Sequence, residues 1–242
     1  ELGGKCPCVV DRSADIEVAA RRILAGKFFN GGQTCFSPDY VVVHEAVKVP
    51  LIEAFEKLLV TVPWSDEMAR VVNKRHYDRL HGLLGGEEIR QGGDDPGSLR
   101  MAPRILPQAT WDDASMQEEI FGPILPVLAF SDTDELIGRL SGYGLPLALY
   151  VFCNDPIFEQ RLLTSIRSGG VCINDTMKQG SLLNVPFGGV GESGHGRYRG
   201  QAGIQAFSYE RVVVKRATWG PQWFDLMPPY GDVLKWLKRL MR

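Results

Sequence analysis

The hydrophobic period of the chain changes twice between residues 16 and 44, and no other stretch restricts the fold as much. Ile16, Ala19, Ala20, Ile23, Leu24 and Phe28 recur at helical spacing. Ser13 or Asp15 is placed to cap that helix, and Gly31-Gly32 to stop it. Tyr40-Val-Val-Val-His44 then reads as a strand by its β-branched run. A helix feeding into a strand in this way is the unit of layered α/β folds, and the alternation continues along the chain. Strands are expected over 8–10, 104–106, 127–130, 147–152, 171–174 and 210–215. Helices are expected over 16–27, 49–59, 73–84, 133–140, 156–166 and 201–207. Pro50 falls in the first turn of its helix, and Asp155-Pro156 opens another. Residues 86–103, 116–126 and 186–196 carry the glycines, prolines and charges of loops.

Composition narrows the function classes. A net charge of −2 over 242 residues leaves no nucleic-acid footprint. The longest apolar run, residues 145–153, is strand-length and far short of the roughly 18 residues of a membrane span. The five cysteines are Cys6, Cys8, Cys35, Cys153 and Cys172, and an odd count points to reduced thiols and a cytoplasmic setting. Cys153 and Cys172 lie in apolar strands and read as core packing. Cys6 and Cys8 lack a matching Cys/His pair, and the four histidines are scattered, so no metal site is expected. The tail, residues 217–242, differs in character. After Pro228-Pro229-Tyr230, Asp232 caps a helix with Val233, Leu234, Trp236, Leu237, Leu240 and Met241 on one face and Lys235, Lys238, Arg239 and Arg242 on the other. Docking on its own core, on a subunit partner or on a membrane surface are all open readings.

Cys35 is presented differently from the other cysteines. It follows the Gly-Gly break and precedes the strand, where a backbone can offer a thiol to a cleft. A thiolate is a strong nucleophile once its pKa is lowered. On an aldehyde it would form a thiohemiacetal, which after loss of hydride becomes a thioester. Hydrolysis of that thioester needs a general base, and a buried glutamate suits the role. The residues alone leave a catalytic and a buried structural Cys35 both open, and Glu1 reads as a chain-end charge.

Four separated motifs resemble the aldehyde dehydrogenases over roughly residues 1–216. They are Glu1-Leu-Gly-Gly-Lys5, Gly32-Gln-Thr-Cys35 with Pro38-Asp39-Tyr40, Glu118-Glu119-Ile-Phe-Gly-Pro123, and Pro186-Phe-Gly-Gly-Val-Gly-Glu-Ser-Gly194. Pro38-Asp39-Tyr40, Leu147-Ala-Leu-Tyr150 and Pro228-Pro229-Tyr230 resemble the class 3 and fatty or coniferyl aldehyde subgroup. The resemblance implies a three-layer α/β catalytic domain over 1–216, with residues 1–12 the end of the cofactor domain and 217–242 an extension. It implies that the N-terminal dinucleotide-binding domain is missing, together with a side-chain donor for an oxyanion, so that the sequence is expected to be a fragment. It implies Cys35 as nucleophile and Glu1 as general base. Glu119 would bond the ribose hydroxyls of NAD or NADP, and Phe121 would pack near the nicotinamide. An apolar or aromatic aldehyde substrate and a homodimer are expected with it. Cys6, Phe36 and Ser37 depart from the residues more common in the family. The rival expectations are a non-catalytic remnant that binds a partner subunit, and a cofactor-free thiol esterase using Cys35 and Glu1. The glycine-rich 186–196 loop opens no helix after a strand, so it reads as a chain turn and not as a phosphate cradle.

Overall fold

The computed structural model of the chain describes residues 1–220, 228 and 231–241, with the side chains of 231–234 and 240 outside that description. Among the described residues, seven strands form one sheet: β1 (Pro7–Val10), β2 (Tyr40–His44), β3 (Ile89–Arg90), β4 (Arg104–Leu106), β5 (Ile124–Phe130), β6 (Ala148–Phe152) and β7 (Gly170–Ile173). Their order is β3-β4-β5-β2-β1-β6-β7. Every pair is parallel except β3 with β4.

Helices cover both faces, as a parallel sheet requires. Side chains alternate across a strand, so Cys8, Val10, Val41, Val43, Tyr150 and Phe152 pack on one side with helices α1 (Ile16–Phe28) and α2 (Glu45–Thr61). Val9, Val42, Leu149 and Val151 pack on the other, with Leu136 and Leu140 of helix Thr133–Gly142 and Phe158 and Leu162 of helix Pro156–Ser165. This is the expected three-layer arrangement. Asp15, not Ser13, caps α1 by accepting the Val18 N–H at 3.0 Å. Asp132 and Asp155 cap their helices likewise.

Three expectations change. Helix α2 starts at Glu45, directly from β2, because the His44 ring accepts the Ala46 N–H at 3.2 Å and caps it. Pro50 therefore sits inside the helix and not in its first turn. Strand β5 starts at Ile124 and takes in Pro126, which the two prolines of the stretch had marked as loop. Pro126 lies opposite the last residue of β4, so its missing N–H falls at the end of that short ladder. Residues 210–215 form no strand, and Val212, Val213 and Val214 are exposed. β-branched composition alone does not make a strand without a neighbour to bond.

Residues Glu1–Ser208 form one compact unit. In the second unit, taken by itself, the helix Gly231–Leu240 forms as expected, with Lys235, Trp236, Lys238 and Arg239 exposed. The expected cap on Asp232 and the side chains of Val233, Leu234 and Leu240 lie outside the described residues, as do Pro229, Tyr230 and Arg242. No helix among the described residues is long and apolar enough to cross a membrane.

The sheet order matters most for the site. Strands β5, β2 and β1 are adjacent and parallel. The segments that lead into them therefore meet at the N-terminal ends of these parallel strands. Those segments are 118–123, 33–39 and 1–6, which carry three of the four motifs.

Candidate active site

Cys35 reaches its place through a sharp break in the backbone. Helix α1 runs into the 3₁₀ turn Phe29–Gly32, where Asn30, Gly31 and Gly32 take positive φ of 52°, 62° and 73°. A Cβ on Gly32 would lie 2.2 Å from the Gly122 carbonyl oxygen, so only glycine lets this turn meet the 118–123 loop backbone to backbone. Gln33 pins the turn from outside, donating to the Arg70 carbonyl and accepting the Val72 N–H, each at 2.9 Å.

The Cys35 thiol donates to Glu1 Oε1 at 3.1 Å. Tyr198 Oη donates to the other oxygen, Glu1 Oε2, at 2.7 Å. Residues separated by most of the chain thus share one carboxylate. The glycine-rich loop seats Glu1: the Leu2 N–H donates to the Ser193 carbonyl at 2.9 Å. A Cβ on Gly194 would lie 3.2 Å from Glu1 Cα. The loop is a turn, as expected, and also the backing of Glu1. Burial pushes the Cys35 thiol up to about 12, aided by the hydrogen bond to Glu1 and by the charges of Glu1 and Glu119. In this state the sulfur holds its proton and Glu1 is the group in contact with it.

Glu119 approaches from the neighbouring leader segment. It is half-buried over Gly3, where a Cβ would come within 2.2 Å of its carboxylate. Burial, and then the charge of Asp39, push it up to about 7, against the Gly4 N–H and the charges of Lys27 and Lys5. Phe121 is half-buried with φ of 53°, its carbonyl 2.7 Å from the His76 ring nitrogen. The structure therefore gathers Glu1 and Glu119 closely enough to Cys35 for both charges to act on its thiol, and places Phe121 two residues along the same loop as Glu119.

Below them lies a cluster that the sequence reading missed. Asp39 pairs with Lys5 at 2.5 Å and with Lys27 at 3.8 Å. It also accepts the Ile120 N–H at 3.1 Å, and its own N–H donates to the Cys6 carbonyl at 2.9 Å. Lys5 further donates to the carbonyls of Ser115 and Glu118, each at 2.8 Å. One buried aspartate thus ties the glutamate, cysteine and 118–123 segments together. Arg79 reinforces the last of these through Glu118 at 2.6 Å and the Ile120 carbonyl. Lys27 Nζ has no hydrogen-bond partner among the described residues, and burial lowers the Lys27 pKa to about 8. A lysine on the apolar stripe of α1, beside Ile23, Leu24 and Phe28, was the available signal. Tyr198 had none. Cys6 is a buried thiol whose Sγ donates to the Cys35 carbonyl at 3.5 Å, and Cys8 is core.

Comparison with known proteins gives this arrangement its family. The model of the aldehyde dehydrogenase family matches residues 1–213. The chain belongs to the aldehyde dehydrogenase family. It is similar to the 4,4'-diaponeurosporen-aldehyde dehydrogenase of Staphylococcus aureus, at 40% identity over all of this chain and 54% of that protein. It is similar to the dimeric NADP-preferring aldehyde dehydrogenase of Rattus norvegicus, at 39% identity over 90% of this chain and 49% of that one. Among solved structures, the substrate-bound state of Staphylococcus aureus AldH superposes with a TM-score of 0.90 at 39% identity, covering all of this chain and 54% of that one. The chain spans about half the length of the relatives it matches. The aldehyde dehydrogenase fold and the resemblance to the class 3 group both stand on these matches.

Proposed function

We propose that this chain supplies the catalytic half of an NAD(P)-dependent aldehyde dehydrogenase, with Cys35 as nucleophile and Glu1 as general base. The single observation that carries the reading is the 3.1 Å contact between the Cys35 thiol and the Glu1 carboxylate. Cys35 Sγ attacks the aldehyde carbon as the thiolate, its proton having left to solvent. The Cys35 backbone N–H, which holds the thiol pKa down, faces the sulfur and is placed to stabilise the oxyanion that forms. Glu119 accepts one backbone N–H and keeps further lone pairs open, which fits the hydroxyls of a ribose; Phe121 offers an aromatic face two residues away. These two would hold the nicotinamide dinucleotide, which when bound accepts the hydride lost by the adduct. Glu1 then takes a proton from the water that hydrolyses the thioester, and Tyr198 keeps the carboxylate aimed through that step. The names of the relatives support a large apolar aldehyde and NADP, and that of an NAD-dependent structural neighbour from Sinorhizobium meliloti supports NAD. A homodimer, and contact of the basic helix Gly231–Leu240 with a membrane surface, belong to the same proposal.

The test is to titrate NAD+ and NADP+ into the chain and then add an aromatic or long-chain aldehyde. Saturable binding, followed by reduced-nicotinamide absorbance that Cys35→Ala abolishes, is expected. Binding without reduction, or none at all, would favour the remnant reading. A second reading, the cofactor-free thiol esterase, draws on the same contact, since nucleophile and proton acceptor both lie within this chain. Turnover of an activated ester without nicotinamide, lost in Cys35→Ala, is its signature.

A further inference from the structure

A cavity of about 770 Å³ opens beside Cys35's neighbours in the chain. Phe29 and Phe36, which bracket Cys35 in sequence, both line it. The Phe36 ring is pressed against Gly180, where a Cβ would come within 2.4 Å of the ring. Any side chain at 180 would push that ring from its place, so the small residue sets the width of the wall. A volume of this size suits a ligand of drug-like bulk.

The remaining lining is charged and unbalanced. Arg21, Arg22 and Lys178 face one acid, Asp175. Arg22 is committed, donating to the Asn174 carbonyl. Asp175 accepts the Thr176 N–H at 2.7 Å. No ion pair joins Arg21 or Lys178 to a carboxylate among the described residues. Both are exposed, so neither is needed to complete the core. Aromatic walls from residues that flank the nucleophile in sequence, and two cations on the same cavity without an ion pair among the described residues, describe a ligand with an apolar body and a negative end.

We propose that this cavity takes the non-reacting end of the aldehyde, and that this end is anionic, with Arg21 and Lys178 selecting it. The substrate class is then an aromatic or unsaturated aldehyde bearing a carboxylate away from its carbonyl. An arginine fork matches a carboxylate in geometry as well as charge. This rests on Cys35 being the reactive thiol, so the test is built to separate the two claims.

Iodoacetamides on one phenylbutyl stem, ending in carboxylate, methyl or trimethylammonium, are reacted with the 242-residue chain. The rate at Cys35 is followed by peptide mass mapping and divided by the rate with glutathione. The carboxylate reagent is expected to label Cys35 roughly fivefold faster than the methyl reagent, with trimethylammonium slowest. The preference disappears in the Arg21→Gln/Lys178→Gln pair and fades in high salt. Equal normalised rates, or a preference that survives the double substitution, overturn the anionic-end proposal and leave the nucleophile in place. Failure of all three reagents at Cys35 overturns the nucleophile and this proposal with it.

Discussion

Glu1 and Glu119 sit at the same end of the parallel strands, on the segments that lead into β1 and β5 and flank the one that leads into β2, yet they are held in opposite ways. Glu1 is gripped by two protic side chains, the Cys35 thiol and the Tyr198 hydroxyl. Glu119 faces backbone, over a glycine, and above a buried aspartate whose charge opposes its own. The first arrangement suits a group that exchanges protons with a nucleophile. The second suits a group that presents lone pairs to a ligand. In the proposed site the two carboxylates would thus do different work because their surroundings differ.

Removing the nucleophile should break the Glu1 side most completely. Cys35→Ala is expected to lower turnover of an activated ester by about 10⁴-fold or more. Glu1→Gln should slow the hydrolytic half by roughly 10²–10⁴-fold. The same change removes a charge and an acceptor that both raise the thiol pKa. Alkylation of Cys35 at pH 8 should therefore speed up, by about three- to fourfold for each unit by which that pKa falls, because the gain in thiolate is partly offset by its weaker nucleophilicity. Slower alkylation in Glu1→Gln would contradict the electrostatic part of this picture.

The cluster beneath Glu119 gives the next largest effects. Lys5→Met strips Asp39 of its close partner and should cost about 3–5 kcal/mol in chemical denaturation. Lys27→Met leaves the Lys5–Asp39 pair intact and removes a buried ammonium without a hydrogen bond. It should change stability by no more than about 1 kcal/mol, or raise it. Equal losses in the two variants would show that the 3.8 Å pair matters as much as the 2.5 Å one.

Smaller effects separate the carboxylates themselves. Tyr198→Phe removes one hydrogen bond to Glu1 and should reduce ester hydrolysis by about fivefold, with no effect on dinucleotide affinity. Glu119 titrates near 7 in the folded chain, against 4.5 ordinarily. Its contribution to stability is present at low pH and is lost as pH rises from about 4.5 to about 7. Glu119→Gln should therefore be the more stable protein at pH 8 and lose that advantage at pH 4. NAD(P)+ affinity should weaken below pH 7 in the original chain, because protonation takes an acceptor away, and be flat with pH in Glu119→Gln. A pH-independent affinity in the original chain would remove Glu119 from the dinucleotide site.

The layered fold was legible because the signals are local. The β-branched run before His44, the stripe along α1 and the aspartate caps each declare themselves within a few residues. What failed was punctuation. Pro50 and Pro126 marked boundaries that the structure runs through: the His44 cap starts α2 ahead of Pro50, and Pro126 lies opposite the last residue of a three-residue neighbour, where a missing N–H falls at the end of the ladder. Of the site, Glu1, Cys35, Glu119 and Phe121 were reached through motifs. The Lys5–Asp39–Lys27 cluster was not, because its role exists only once β5, β2 and β1 lie side by side; Tyr198 was not, because it meets Glu1 only once the glycine-rich loop folds against the first residues of the chain. The valines at 212–214 show the converse, a strong local preference for strand with no strand formed.

The central claim is that Glu1 activates water against a thioester on Cys35. Intact-protein and peptide mass spectrometry after brief exposure to p-nitrophenyl acetate tests it most directly. The original chain should turn over with little adduct, whereas Glu1→Gln should accumulate a single acetyl group on the peptide containing Cys35. Equal adduct in both proteins, or acetyl groups found elsewhere than Cys35, would contradict the assignment.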